Sequence, residues 1–265
     1  MIYFNLVYLL VFIFGLVVGS FLNCVIYRLE VGGSFLKGKS FCPHCKHILS
    51  WQDLIPVFSF LFLKGKCRYC SQKISLQYPL VEIATGLLFL LIFNFQFSIF
   101  NYLIACFLIV IFVYDLKNYI IPDKVIYPAI ALAFLYQIFS NFKFPISITN
   151  FKFLITNFYF PFLSAIGMAI FFLTIVLISR GKWMGWGDVK MVFFMGLFLG
   201  SPKILVALFL AFFIGASVGL ILIFLGKKTL KSEVPFGPFL VTGTFLAMFF
   251  GERIIDWYLN LFSLR

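Results

Sequence analysis

Charged side chains are scarce in this sequence, at 11% of 265 residues, whereas 63% of the residues are hydrophobic and the mean hydropathy is +1.09. Soluble globular domains carry about 25% charged residues, so this composition excludes that class. Apolar runs recur along nearly the whole chain, and crossing a bilayer takes roughly 20 such residues. The sequence therefore predicts an integral membrane protein.

The first apolar run, residues 3–26, lacks the features of a removable signal peptide. No Lys or Arg precedes it, and no small-residue cleavage site follows it. We therefore expect it to remain as the first membrane span. The predicted fold class is an all-α polytopic membrane protein, forming one integral domain over 1–265 with a small inserted segment between the first two helices. About eight spans are expected, at 3–26, 79–97, 100–114, 125–139, 160–179, 189–199, 204–225 and 236–250.

Acidic residues are also few, nine against 21 Lys and Arg, which gives a formal net charge of +12. Cations are retained on the cytoplasmic side of membrane proteins, so their positions predict an amino terminus outside the cell. The bilayer, with its anionic headgroups, is the partner that the charge predicts, and no soluble basic face supports nucleic-acid binding. The predicted cytoplasmic cations are Arg28, Lys37, Lys39, Lys46, Lys64, Lys66, Arg68, Lys73, Lys117, Lys124, Arg180, Lys182, Lys190, Lys227, Lys228 and Lys231, against Lys143, Lys152, Lys203, Arg253 and Arg265 outside.

One stretch is not membrane-like, the insert at 28–78, and it holds two Cys-x-x-Cys pairs. Two such pairs, 21 residues apart, can bring four thiolates to one tetrahedral zinc ion. Two disulfides or a redox-active pair are the alternatives, and the predicted cytoplasmic location disfavours disulfides. A closed four-thiolate site has no open position for water, so we expect a structural zinc. The predicted ligands are Cys42, Cys45, Cys67 and Cys70, with His44 and His47 as possible replacements and Cys24 and Cys106 as small core residues.

Two aspartates fall at the same predicted face of the membrane. Asp115 ends the third predicted span, and Asp188 opens the sixth within Gly185-Trp186-Gly187-Asp188. Placing a carboxylate at membrane depth costs several kcal/mol of free energy, so an aspartate at such a position indicates a structural or functional role. Two facing carboxylates cannot both ionise cheaply, which gives one acid and one base, the dyad of an aspartyl protease. The alternative is ordinary ion pairing, of Asp115 with Lys117 or Lys124 and of Asp188 with Lys190.

Two further acids are given supporting roles. Asp123, in Ile121-Pro122-Asp123-Lys124, fits a helix N-cap. Glu82 lies one turn into the second predicted span, either stabilised by the helix dipole or in polar contact with the catalytic bundle. The glycines before Asp188 remove side-chain bulk and leave the turn free to adopt unusual dihedral angles.

The ordered motifs resemble bacterial type IV prepilin peptidases over almost the entire chain. The motifs are the Gly-Ser-Phe-Leu-Asn run at 19–23, the two Cys-x-x-Cys pairs, the Ser-Leu-Gln-Tyr-Pro-Leu-Val-Glu run at 75–82, Asp115 with the Ile-Pro-Asp run at 121–123, the Gly-x-Gly-Asp at 185–188 and the Pro-Phe-Gly-Pro-Phe run at 235–239.

The resemblance implies a Gly-x-Gly-Asp membrane aspartyl protease in the bacterial inner membrane, with Asp115 and Asp188 as catalytic residues and prepilins or pseudopilins of type IV pili or type II secretion as substrates. It also implies methylation of the new amino terminus by S-adenosylmethionine, for which the sequence shows no glycine-rich binding signature, so the residues that bind this cofactor stay unassigned. A presenilin-like protease with another substrate, a carboxylate-relay transporter and a zinc-dependent scaffold are the alternatives. An inverted repeat between the two halves would favour the transporter, but the sequence shows no convincing one.

Overall fold

A computed structural model describes residues 2–33, 38–95, 98–141, 151–227, 229 and 232–263. The described chain is all helical apart from two isolated bridges, so the predicted fold class is confirmed. Five cations used for orientation, Lys37, Lys143, Lys228, Lys231 and Arg265, lie outside the described residues. The helices are α1 (Ile2–Glu30), a 3-10 helix (Trp51–Leu54), α2 (Phe58–Phe62), α3 (Gln77–Phe95), α4 (Ile99–Asn118), α5 (Asp123–Asn141), α6 (Phe151–Ser179), α7 (Trp186–Leu199), α8 (Lys203–Phe224) and α9 (Gly237–Ser263).

Six of the described helices are long and apolar enough to cross a membrane: α1, α3, α4, α6, α8 and α9. Helices are expected there because lipid offers no hydrogen-bond partners, so every backbone group must be satisfied within the segment. The predicted count of eight spans is not confirmed, since α5 and α7 are not among the six. Several bounds also differ: α4 continues past the predicted end at 114, and α9 continues well past 250.

The chain divides into two compact units, Met1–Val110 and Ile111–Arg265. The prediction of one integral domain over 1–265 stays a prediction. The boundary falls within α4, whose last two turns, from Ile111 onward, belong to the second unit. Each unit has its own packing, which positions a different group of functional side chains.

In the first unit, glycines let α1 and α3 approach closely. A Cβ added to Gly15 would lie 2.7 Å from the Cα of Gly86, and one added to Gly19 would lie 2.7 Å from the Cα of Glu82. Small residues at such spacing allow backbones of neighbouring membrane helices to touch. The contact brings the two ends of the insert together, where the Asn23 side-chain amide donates to the Tyr78 carbonyl oxygen over 3.0 Å.

The insert is built from two copies of one turn, 25 residues apart. In the first copy Cys42 N–H donates to the His47 carbonyl, and Lys46 N–H donates back to the Cys42 carbonyl. Cys67 N–H donates to the Gln72 carbonyl and Ser71 N–H to the Cys67 carbonyl in the second copy. Lys46 and Ser71 occupy equivalent positions and both have positive φ, +59° and +57°. The repetition presents the two cysteine pairs in the same local geometry.

Glu82 fixes this insert to α3. Its carboxylate is buried, accepts a 2.7 Å hydrogen bond from Val57 N–H through Oε2, and also interacts with the Ser20 hydroxyl. The partner found in the first unit is therefore a backbone amide of the insert, and the expected dipole and catalytic-bundle roles stay predictions. Val57 has φ +61°, an uncommon conformation for a β-branched residue, and the part-buried hydrogen bond to Glu82 helps to hold it.

In the second unit α7 is enclosed by its neighbours. Met191, Val192, Phe194 and Met195 have no exposed surface. A Cβ on Gly196 would overlap the backbone of Ala165 in α6, so this glycine permits the closest helix contact. Burial on many sides explains why a helix of only 14 residues is stable here.

Candidate active site

Asp115 lies in the last turn of α4, as expected for the residue that ends the third predicted span. The helix continues to Asn118, and Tyr119 N–H donates to the Asp115 carbonyl over 2.9 Å. The Asp115 residue is 4% exposed. A carboxyl group with so little access to water needs polar partners from the protein itself.

Asp188 lies in the first turn of α7, as expected for the residue that opens this helix. Gly185 is the N-cap, and its N–H donates to Asp188 Oδ2 over 3.1 Å. This is the half of a capping box in which the third helical residue reaches back to the N-cap backbone. The carboxylate also lies at the positive end of the helix dipole, which stabilises a negative charge there.

The partner of Asp115 comes from α9, 122 positions further along the chain. Gly237 N–H donates to Asp115 Oδ2 over 3.0 Å. A Cβ on Gly237 would overlap that same oxygen and lie 3.0 Å from Asp115 Cγ. Only glycine therefore brings this amide to the carboxylate. The Pro-Phe-Gly-Pro-Phe motif carries part of the family resemblance, but it did not predict this role for Gly237. The position of Gly237 between two prolines was the available signal.

The second unit thus brings the two predicted catalytic aspartates together. The last turn of α4 meets the first residue of α9, and α9 in turn contacts α7, whose first turn carries Asp188. The two carboxylates are close enough for their charges to interact. Both glycine amides bind an Oδ2 atom. Such a pair can supply an acid and a base to one reacting group.

The alternative in which Asp188 forms an ion pair with Lys190 is not what the second unit shows. Lys190 Nζ lies 2.5 Å from Asp123 Oδ1 and 4.9 Å from the centre of the Tyr127 ring. The lysine that was the candidate partner of Asp188 therefore pairs with the acid that begins α5. This contact joins the start of α5 to the first turns of α7. Asp123 is the first residue of α5 rather than the residue before it, so the expected N-cap position is not found, and its supporting role stays a prediction.

The glycines of the Gly-x-Gly-Asp turn matter because they lack side chains, not because they adopt unusual backbone angles. Gly185 has φ −80° and ψ 154°, which any residue adopts, so the expected unusual dihedral angle is not found there. A Cβ on Gly187 would lie 3.0 Å from Ile121 Cβ. The second glycine therefore lets the first turn of α7 pack against the loop that follows α4.

The four predicted zinc ligands form one cluster in the first unit. The sulfur atoms of Cys42, Cys45, Cys67 and Cys70 all lie within 4.8 Å of one another, and Cys42 Sγ is 3.9 Å from Cys70 Sγ. Tetrahedral zinc with Zn–S bonds of about 2.3 Å places its sulfurs about 3.8 Å apart. All four thiols are free, so the donor set fits a metal ion.

The neighbouring histidines do not belong to this cluster of described residues. His47 stacks on Tyr69 with 3.7 Å between ring centres, joining the two turns, and His44 is exposed. Asp53 adds a second link, accepting hydrogen bonds from Ser50, Arg68 and Tyr69. Burial raises the pKa of Asp53, but the bonds from Ser50, Tyr69 and Arg68 outweigh it and hold the pKa below its ordinary value.

Two family models match the chain. The bacterial peptidase A24 N-terminal domain matches residues 13–96, which include the cysteine cluster, and the type IV leader peptidase family matches 102–220, which include both aspartates. A Bacillus subtilis protein named prepilin leader peptidase/N-methyltransferase is 30% identical over 95% of this chain and 98% of its own length. The chain belongs to the type IV leader peptidase family.

Other relatives in this family carry the same name. A protein of Aeromonas hydrophila is 30% identical over 96% of this chain and 94% of its own length, and one of Legionella pneumophila is 29% identical over the same shares. No solved structure matches the chain. Membership of the leader peptidase family sets the chain apart from the presenilin-like, transporter and scaffold alternatives.

Proposed function

We propose that this membrane protein is an aspartyl endopeptidase that removes the leader from type IV prepilins or pseudopilins, and that it also methylates the new terminal amine. The observation that supports the peptidase assignment is that Asp115 and Asp188 lie on helix ends of the same unit and each accepts a glycine N–H through Oδ2. The methyl transfer rests on the names of the relatives. Its donor would be S-adenosylmethionine, to which we assign no residue.

The reaction follows from two carboxyl groups that share one reacting centre. One aspartate removes a proton from water while the other donates a proton to the carbonyl oxygen of the scissile bond. The resulting gem-diol collapses, and the proton returns to the leaving amine. Gly237 and Gly185 hold the carboxylates in place during these transfers, because amides on rigid helix ends need no rearrangement as charge develops.

Leader release by purified protein tests the assignment directly. We expect the full chain in lipid nanodiscs to convert a prepilin into mature pilin, cut between the basic leader and the hydrophobic amino-terminal helix. Mass spectrometry of both products locates the cut. Failure to cleave prepilins and pseudopilins, by protein whose metal cluster is intact, would contradict the proposed activity.

We assign the four-cysteine cluster to a structural zinc ion held by Cys42, Cys45, Cys67 and Cys70, in an insert spanning 28–78. Zinc bound by four thiolates fixes the fold of a small module and leaves no coordination position for substrate. The pairing of two equivalent turns around the cluster supports this role. The insert is the expected docking place for a polar cosubstrate, since it is the largest non-membrane segment.

Replacing a cluster cysteine should release the metal. We expect about one zinc per wild-type chain and almost none in Cys42→Ser, measured by metal analysis of purified protein. The insert should then become sensitive to proteases between 28 and 78. Cys24→Ser, outside the cluster, is the matched control and should retain its zinc. Wild-type protein that carries two disulfides and no metal would exclude the zinc site. A Cys42→Ser variant that loses cleavage but methylates normally would exclude a role for the insert in methylation.

We further propose that the amino terminus faces outward and that the aspartates face the cytoplasm, in the bacterial inner membrane. This orientation places the insert and the site on the side where cations are retained. The loop before α7 holds Arg180 and Lys182, whereas the turn after α7 contains Ser201 and Pro202. The two ends of α7 should therefore lie on opposite sides of the membrane.

Cysteine labelling at these two exposed positions checks the orientation. In intact cells we expect Ser201→Cys to react with a membrane-impermeant maleimide and Lys182→Cys to react only after permeabilisation. The unsubstituted chain is the control, because its own cysteines should give no signal before permeabilisation. The reverse pattern would invert the topology, and labelling of both positions from one side would show that α7 does not cross.

A further inference from the structure

The short helix α2 carries an apolar face that the described fold leaves exposed. Phe58, Leu61 and Phe62 follow the i, i+3, i+4 spacing of one helix face, and they are 57%, 63% and 83% exposed. Trp51, in the 3-10 helix that contacts α2, is 72% exposed. Large apolar groups collected in this way on a polar module mark an interaction surface. We call Phe58, Leu61 and Phe62 the α2 face.

The hydrogen bond that joins α2 to α3 determines the position of α2 along the axis of this membrane span. Val57, the residue just before α2, donates its N–H to Glu82 over 2.7 Å. Glu82 is five residues into α3, about 7.5 Å along a helix axis from Gln77. Because α3 is long and apolar enough to cross the bilayer, this bond holds α2 beside the polar end of a span. The α2 face is thus within reach of the headgroup region.

The charges around α2 match an anionic lipid surface. Lys64 and Lys66 follow the helix directly, and Lys66 pairs in an antiparallel bridge with Lys73. Asp53 is the single acidic residue between positions 31 and 81, and its carboxylate is engaged by Arg68, Tyr69 and Ser50. An apolar helix face bordered by cations is the pattern of interfacial membrane helices.

We propose that α2 is an interfacial membrane-binding element of this protein. Its apolar face enters the boundary between headgroups and acyl chains, while Lys64 and Lys66 contact anionic phospholipid headgroups. The zinc-binding module is thereby held against the bilayer next to α1 and α3. The proposal depends on the contacts of the first unit and not on the proposed peptidase reaction.

Photo-crosslinking from Phe62 tests this placement. The full chain carries p-benzoylphenylalanine at position 62 and is irradiated in nanodiscs of phosphatidylethanolamine and phosphatidylglycerol. We expect phospholipid adducts on the peptide containing position 62, at least about tenfold more than from a probe at the exposed His44 of the first cysteine turn. A probe at Phe224, 91% exposed at the end of α8, is the positive control for lipid contact.

A charge variant tests the headgroup contacts separately. With wild-type lysines, phosphatidylglycerol should be enriched among the adducts by about twofold or more over its share of the nanodisc, and Lys64→Glu with Lys66→Glu should remove the enrichment. Zinc content is measured on every variant to show whether the insert is folded. If the double variant has lost its zinc, the two single lysine variants are tested in its place. Unchanged enrichment would exclude the proposed headgroup contacts.

The other possible occupants of the α2 face give distinct products. A crosslink to a second copy, to another segment of the same chain, or to an added prepilin at the expense of lipid would each overturn the proposal. A lipid yield no higher than that of the His44 probe would also overturn it, since α2 would then face water. The mass of each crosslinked peptide identifies its partner, so one proteolytic digest distinguishes these outcomes.

Discussion

Asp115→Asn and Asp188→Asn should each reduce leader cleavage by at least about 10³-fold, because one carboxyl group cannot supply both the acid and the base. Asparagine has the same shape as aspartate, and its carbonyl oxygen can still accept the glycine N–H that binds Oδ2 in the wild type. Insertion and folding should therefore survive. Cleavage rates on a prepilin, measured in nanodiscs with equal amounts of protein, check this expectation.

The matched control is Asp123→Asn, which alters an acid in the same unit. The Asp123 side chain is 61% exposed and pairs with Lys190, and exposed pairs contribute about 0.2–1 kcal/mol. Its cleavage rate should stay within about fivefold of wild type. The double variant of Asp115 and Asp188 should be no slower than the single ones, because the two residues act as a unit. Substantial cleavage by either single variant would remove the dyad assignment.

Gly237→Ala should also reduce cleavage strongly, by about 100-fold, although it changes no ionisable group. The added methyl group would overlap Asp115 Oδ2, so either the carboxylate or the start of α9 must move. A displacement of about 1 Å in a catalytic group is enough for an effect of this size. The measurement is again prepilin cleavage, accompanied by the thermal stability of the purified variant.

Gly219→Ala is the matched control, since a Cβ at Gly219 in α8 meets no atom within 4 Å. The same chemical change should there leave cleavage close to wild type. The stability measurement separates a local effect from misfolding: Gly237→Ala should lose activity while most of the protein remains folded at the assay temperature. Normal cleavage by Gly237→Ala would show that the contact with Asp115 is not needed for the reaction.

The outcomes for Glu82 and α7 show where reasoning from the sequence fails. Glu82 was correctly singled out as an acid that needs a partner, but its partner, Val57 N–H, lies 25 residues away in an irregular loop. The interior position of α7 depends on contacts such as that between Gly196 and Ala165. Neither contact has a periodic signature, because helical spacing relates only residues within a few positions of one another.

Local sequence patterns were sufficient to predict the membrane class, the all-helical fold, and the positions of the two cysteine pairs and the two aspartates. These features are local: hydropathy needs only a continuous apolar run, and a ligand motif needs only a short spacing. Contacts between distant segments determine which helix ends meet, that Gly237 binds Asp115, and that Lys190 pairs with Asp123 rather than Asp188. The physical reason is that small residues set how closely helices approach, and those approaches join groups far apart in sequence.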